Sequence, residues 1–156
     1  MKENLHQYLL EVAKAGYANK EAEREWVKNP DGSTTIIHKN GAWSMHDNFF
    51  GGEPYGGREV IFHDGKPYWI MVYYGEVSRE IEKPAGIYSF LQDALALPDP
   101  EMPIRGPRQL EANGMRYKFE SQGDIEKFEG TEKILKDRNE IYNASFIGGL
   151  VDQRGE

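Results

Sequence analysis

A run of strict alternation, closed by glycine at both ends, limits this chain more than any other feature. Trp43, Met45, Asp47 and Phe49 fall on one side, and Ser44, His46, Asn48 and Phe50 on the other. That is the period of a half-buried strand. Lys39-Asn40-Gly41 precedes it as a turn, because Asn and Gly both tolerate positive φ. Gly51-Gly52-Glu53-Pro54-Tyr55-Gly56-Gly57 follows it, two diglycines around a proline. Thr34 to His38, rich in β-branched residues, makes a strand on one side, and Arg58 to His63 makes another on the other. The expectation is an antiparallel meander.

The rest of the chain extends this pattern. Leu5, Leu9, Val12 and Ala13 recur at helical spacing, with Asn4 as N-cap and Gly16 as stop, which predicts a helix over 4–15. Tyr17 to Glu25 has helix-forming composition but a poor apolar pattern. Trp26 to Lys28 reaches the turn Asn29-Pro30-Asp31-Gly32. Asp64-Gly65 is another turn, and Tyr68 to Tyr74 is apolar on both faces, as a covered central strand would be. Ile87, Phe90, Leu91, Ala94 and Leu95 predict a helix over about 85–97, opened by Pro84 and ended by Pro98. Residues 98–107 hold four of the eight prolines and form a stiff loop. Met115 to Glu120 alternates, and 124–128, 132–135 and 140–147 are further strand candidates. The reading is α+β: a single domain over 1–156 with a twisted antiparallel sheet of seven to eight strands. Two helices pack on one face, and the tail 152–156 is frayed.

Bulk properties exclude several functions. With 38 % hydrophobic and 12 % aromatic residues in 156, the chain can bury a core. A net charge of −7 opposes direct binding to phosphate backbones, so nucleic acid is not an expected partner. Absence of cysteine removes a disulfide framework, a thiol nucleophile and a zinc–cysteine site, and suits a reducing cytoplasm. No apolar run approaches membrane-spanning length, and the N-terminus has no signal-peptide core. His38, His46 and His63 lie on neighbouring strands but lack short metal-ligand spacing, so no metal or cofactor is expected.

The stretch Asp47-Asn48-Phe49-Phe50-Gly51-Gly52-Glu53-Pro54-Tyr55-Gly56-Gly57-Arg58-Glu59-Val60 draws these observations together, followed by Tyr73-Tyr74-Gly75, Met102-Pro103-Ile104-Arg105-Gly106-Pro107 and Gly148-Gly149. The chain resembles an uncharacterised bacterial domain family from roughly residue 40 onward. The resemblance implies that some members are joined to helix-turn-helix DNA-binding domains. It implies no substrate, cofactor or catalytic residue.

Candidate site residues concentrate in the same stretch. The diglycines either bring backbone close to a ligand or an anion, or are turn glycines. Asp47, Glu53, Arg58 and Glu59 form a charged cluster in which Arg58 clamps an anion and Asp47 or Glu53 is a base; the alternative is an ion-pair network that fixes the loop. Phe49, Phe50, Tyr55, Trp43 and Trp69 line a flat-ligand pocket or fill the core, with Trp69 and Phe49 favoured as core and Tyr55 as exposed. Of Tyr73 and Tyr74 only one can face a pocket, and Tyr74 is taken as the ligand-facing one. Arg105 is a second cation for an anionic ligand or a solvated loop arginine. The favoured function is a module binding a small anionic or aromatic molecule, or a peptide. The alternatives are a hydrolase or transferase using Asp47 or Glu53, and an interaction domain that dimerises.

Overall fold

The computed structural model describes residues 1–15 and 25–155. Helix α1 (Lys2–Ala15) leads into β1 (Glu25–Lys28), β2 (Thr34–Asn40), β3 (Trp43–Gly51), β4 (Tyr55–His63) and β5 (Lys66–Val77). Helix α2 (Ala85–Leu95) follows, and then β6 (Gln109–Ala112), β7 (Met115–Asp124), β8 (Lys127–Lys136) and β9 (Asn139–Leu150). The ambiguous segment from Tyr17 lies outside the described residues up to residue 24.

All strands form one antiparallel sheet in the order β1-β2-β3-β4-β5-β9-β8-β7-β6. It consists of two meanders, β1–β5 and β6–β9, sealed where β5 pairs with β9 through Val72↔Ile147 and Tyr73↔Phe146. The sheet has nine strands, against the expected seven to eight. Two local features separate the observed sheet from the expected one. Asn113-Gly114, both at positive φ, turns a short β6 back onto β7. Residues 124–128 are not a separate strand; they hold the tight turn of the β7–β8 hairpin, where Asp124 pairs with Lys127. The turns are steep for a reason of chirality, because Asp64-Gly65 and Asp137-Arg138 also take positive φ at both positions. Such a pair matches the right-handed twist of the flanking strands.

The alternation expected for β3 is present: Met45 is buried, with Trp43, Asp47 and Phe49 on the same side. Both helices lie on that side. Leu5, Leu9 and Val12 of α1 are buried, and Tyr8 stacks on Trp43 at 5.6 Å. The Tyr8 hydroxyl donates to the His38 carbonyl at 3.2 Å. Tyr8→Phe should therefore cost about 1 kcal/mol, read as a lower urea midpoint at unchanged slope. Ile87, Phe90, Leu91, Ala94 and Leu95 of α2 are buried against the same face, at the spacing that predicted the helix. Trp69 is fully buried on β5; its indole N–H donates to the Ile125 carbonyl at 2.7 Å and its ring stacks on Phe128. Among the described residues no helix is long and apolar enough to cross a membrane.

Candidate functional site

Strand phase decides which side chains meet. On β3, Asp47 shares the covered face with Met45 and Phe49. On β4, Glu59 shares it with Tyr55 and Ile61, and on β5, Tyr73 shares it with Met71. Asp47 and Glu59 are direct cross-strand partners, and Ile36 of β2 is the next in the same row. A cavity of about 120 Å³ opens above this row, walled by Phe49, Tyr55, Met71 and Tyr73 of the sheet and by Tyr88 and Leu91 of α2. A second lobe of about 60 Å³ continues towards α1, walled by Leu9, Val12 and Ile104. Asp47, Glu59, Ile36 and Arg105 border both lobes.

Two carboxylates directly opposite each other on a covered sheet face are an unfavourable arrangement. Burial first, and then the neighbouring Asp47 carboxylate, push the Glu59 carboxyl up to about 8, with Arg105 pulling weakly the other way. Glu59 therefore carries its proton near pH 7 and can donate, while Asp47 accepts a hydrogen bond from the Tyr73 hydroxyl. Burial and then Asp47 hold the Tyr73 phenol well above its ordinary range, so it remains a donor.

Arg105 reaches the cavity from the proline-rich loop, and its guanidinium is already gripped. Nε and Nη2 donate to the two oxygens of Glu132 at 3.0 and 2.9 Å, a bidentate fork. Glu132 is fully buried and also accepts from Tyr117 at 2.6 Å and Tyr142 at 2.9 Å. Burial opposes the charged form of Arg105, and the Glu132 carboxylate overrides that effect, so its pKa stands well above the ordinary value. The guanidinium lies 4.8 Å from the Phe146 ring centre, which adds a cation–π contact. The hydroxyls of Tyr55 and Tyr142 are also hydrogen-bonded, so a continuous polar chain runs from the cavity wall to Glu132. Tyr55 can cross β5 to reach Tyr142 because residue 75 is glycine: a Cβ there would lie 2.6 Å from the Tyr55 hydroxyl oxygen.

The structure brings together Asp47, Tyr55, Glu59 and Arg105 from the sequence candidates and separates the others. Arg58 is exposed on the opposite face, because adjacent strand residues point to opposite sides. It shares that face with Phe50 and Tyr74, which are 50 % and 58 % exposed. Tyr73, not Tyr74, faces the cavity. Tyr55, expected exposed, is half-buried in the cavity wall, since Tyr55 already belongs to β4 and not to the preceding loop. Glu53 lies beside the cavity: it accepts from the Val77 N–H at 2.8 Å and from the Tyr88 hydroxyl, and so ties the β3–β4 connection to β5 and α2. Gly51, at φ 76°, makes that corner and also borders the cavity. The three histidines are not brought together: His38 sits under Tyr8, His63 against Trp43, and His46 on the open face beside Phe62.

Sequence reasoning passed over Tyr117, Glu132 and Tyr142 as site residues and chose Tyr74 over Tyr73. The available signal was phase: Glu132 stands where Phe128 and Ile134 put the buried side of β8. A carboxylate in the apolar phase of a strand must find partners.

Comparison with curated proteins and with solved structures returns no match. The sequence model of one family matches residues 47–151, which begins in the middle of β3 at the cavity carboxylate Asp47 and takes in β4 through β9 together with α2 and the Arg105 loop. On that match the chain belongs to DUF5680, a domain of unknown function.

Proposed function

We propose that this domain binds a small molecule in the cavity between the sheet and the two helices. The observation that carries the reading is the composition of that wall: an apolar and aromatic lining from Ile36, Phe49, Met71 and Leu91, interrupted by the convergent polar groups of Asp47, Glu59, Tyr73 and Arg105. Binding sites are commonly apolar clefts with a few placed polar groups. The volume suits a compact ligand with a flat or aliphatic body and one hydrogen-bonding end, and it disfavours a peptide. Because Arg105 is gripped by Glu132, the polar end is met by an acceptor at Asp47 and a donor at Glu59. Attachment of some members to helix-turn-helix domains, implied by the resemblance, would make such a ligand an effector.

The test is a thermal-shift screen of metabolites on the purified chain, repeated on Asp47→Asn and Arg58→Ala. A ligand at about 100 times its Kd should stabilise by roughly 2.7 kcal/mol. The shift should vanish in Asp47→Asn and persist in Arg58→Ala, whose side chain is on the other face. The opposite pattern would move the site to the open face, and a library without a single hit would defeat the reading.

A second reading is supported by the placement of Asp47 and Glu59 as direct cross-strand partners at the cavity, with the Glu59 carboxyl pushed up to about 8. Paired carboxyls driven apart in pKa serve as general acid and general base. Glu59 would then protonate the leaving group while Asp47 takes the proton of the attacking nucleophile, water in a hydrolase or the acceptor hydroxyl in a transferase. Turnover of simple ester, glycoside or phosphate substrates, lost in both Asp47→Asn and Glu59→Gln, would establish it over plain binding.

A further inference from the structure

The sheet face turned away from the helices has an uncovered apolar centre. Val72 and Tyr74 of β5, Ile147 of β9 and Phe50 of β3 are 47 %, 58 %, 55 % and 50 % exposed. They are contiguous, since Val72 pairs with Ile147, and Tyr74 and Phe50 flank Gly56 in one row. The wet face of an antiparallel sheet is ordinarily polar, and a contiguous apolar patch at its middle marks an interaction surface.

Charge order along the Val72 row identifies the occupant. Arg58 stands beside Val72 on the β4 side, and Glu129 stands beside Ile147 on the β8 side, giving the sequence Arg58, Val72, Ile147, Glu129 across four strands. Both charged residues are exposed, and neither forms an ion pair among the described residues. We propose that a second copy of this chain docks here, about a two-fold axis running along the seam between β5 and β9. That axis exchanges the two sides of the seam. Val72 of each copy then meets Ile147 of the other, and Arg58 of each meets Glu129 of the other. A two-fold interface is self-complementary in this way. An axis across the strands would set Arg58 against Arg58 and Glu129 against Glu129, which like-charge repulsion disfavours. A foreign partner has no reason to require opposite charges symmetrically placed about the seam. The helix-covered cavity lies on the other face, so docking leaves it accessible.

The experiment is sedimentation equilibrium of the full chain over a wide concentration range, with circular dichroism confirming the fold of every variant. The mass of the wild type should rise towards twice that of the chain. Arg58→Glu and Glu129→Arg should each weaken association by roughly tenfold or more, since each sets like charges together twice. The double variant Arg58→Glu/Glu129→Arg should recover dimerisation to within a few-fold of wild type. The chain contains no cysteine. Val72→Cys mixed with Ile147→Cys should therefore cross-link through a short bismaleimide faster than either variant alone. A mass that stays monomeric at every concentration, or a double variant weaker than both single ones, overturns the proposal. Capture of a different protein by a wild-type chain that remains monomeric overturns it as well.

Discussion

Glu132→Ala should lower stability by about 3–5 kcal/mol, among the largest losses a single substitution on the covered face can produce. The carboxylate is fully buried and accepts from Arg105 twice and from Tyr117 and Tyr142 once each. Truncation leaves a half-buried guanidinium and two buried hydroxyls without their acceptor, and each loss carries a desolvation cost. For a chain of this length the melting temperature should fall by roughly 6–20 °C. The control is Arg105→Met/Glu132→Gln. It removes both charges, keeps an amide oxygen for the tyrosines and preserves most of the volume. Replacing both members of a buried pair is far milder than removing one, so the double variant should recover more than half of the loss. Equal losses in the single and double variants would show that the effect comes from side-chain volume and not from the stranded charge.

This network also shows where sequence reasoning stops. Alternation was legible: Trp43, Met45, Asp47 and Phe49 do share a face, and Ile87 through Leu95 do form a helix that packs on it. Turns were legible where the chemistry is strong, as at Asp64-Gly65. The Asn113-Gly114 turn is of the same type, but with β6 only four residues long there was too little flanking pattern to mark it as a hairpin. Arg58 and Glu59 stand next to each other in sequence, and proximity in the chain made them one cluster. The pleat sends them to opposite faces. The pairing of Asp47 with Glu59 requires the β3–β4 register, which depends on how the Gly51-to-Tyr55 connection closes. The Arg105–Glu132 pair ties the proline-rich loop to β8 across a separation of 27 residues. No local pattern could place the two together, although Glu132's presence in an apolar phase announced that it needed a partner.

The same reasoning gives Glu59 a signature in the pH dependence of folding. Its carboxyl is pushed from the ordinary value of 4.5 up to about 8 in the folded chain, by burial and then by Asp47. Folding therefore raises its proton affinity. The stability linked to that proton is fully present below about pH 4.5 and is lost as pH rises to 8 and above. Across this window wild-type stability should decline by up to about 1.4 kcal/mol per pH unit from this group alone. Asp47, Tyr73 and Arg105 face it: Tyr73 stays a neutral donor and Arg105 stays charged across this window, and Asp47 is one source of the shift. Glu59→Gln retains shape and donor while removing the titration. At pH 5 the two proteins should be of similar stability. At pH 9 the variant should be the more stable by an amount on the order of 2–4 kcal/mol, seen as a higher urea midpoint. Parallel pH profiles would mean that Glu59 is ionised in the folded chain, with its charge neutralised or solvated. A donor at that position would then be lost, and with it both the acceptor–donor recognition proposed for the cavity and the division of acid and base between Glu59 and Asp47. A diverging pair of profiles would instead show that this fold tolerates a destabilising carboxyl at the centre of its cavity, where a perturbed group beside a second carboxyl is a candidate for holding a ligand or transferring a proton.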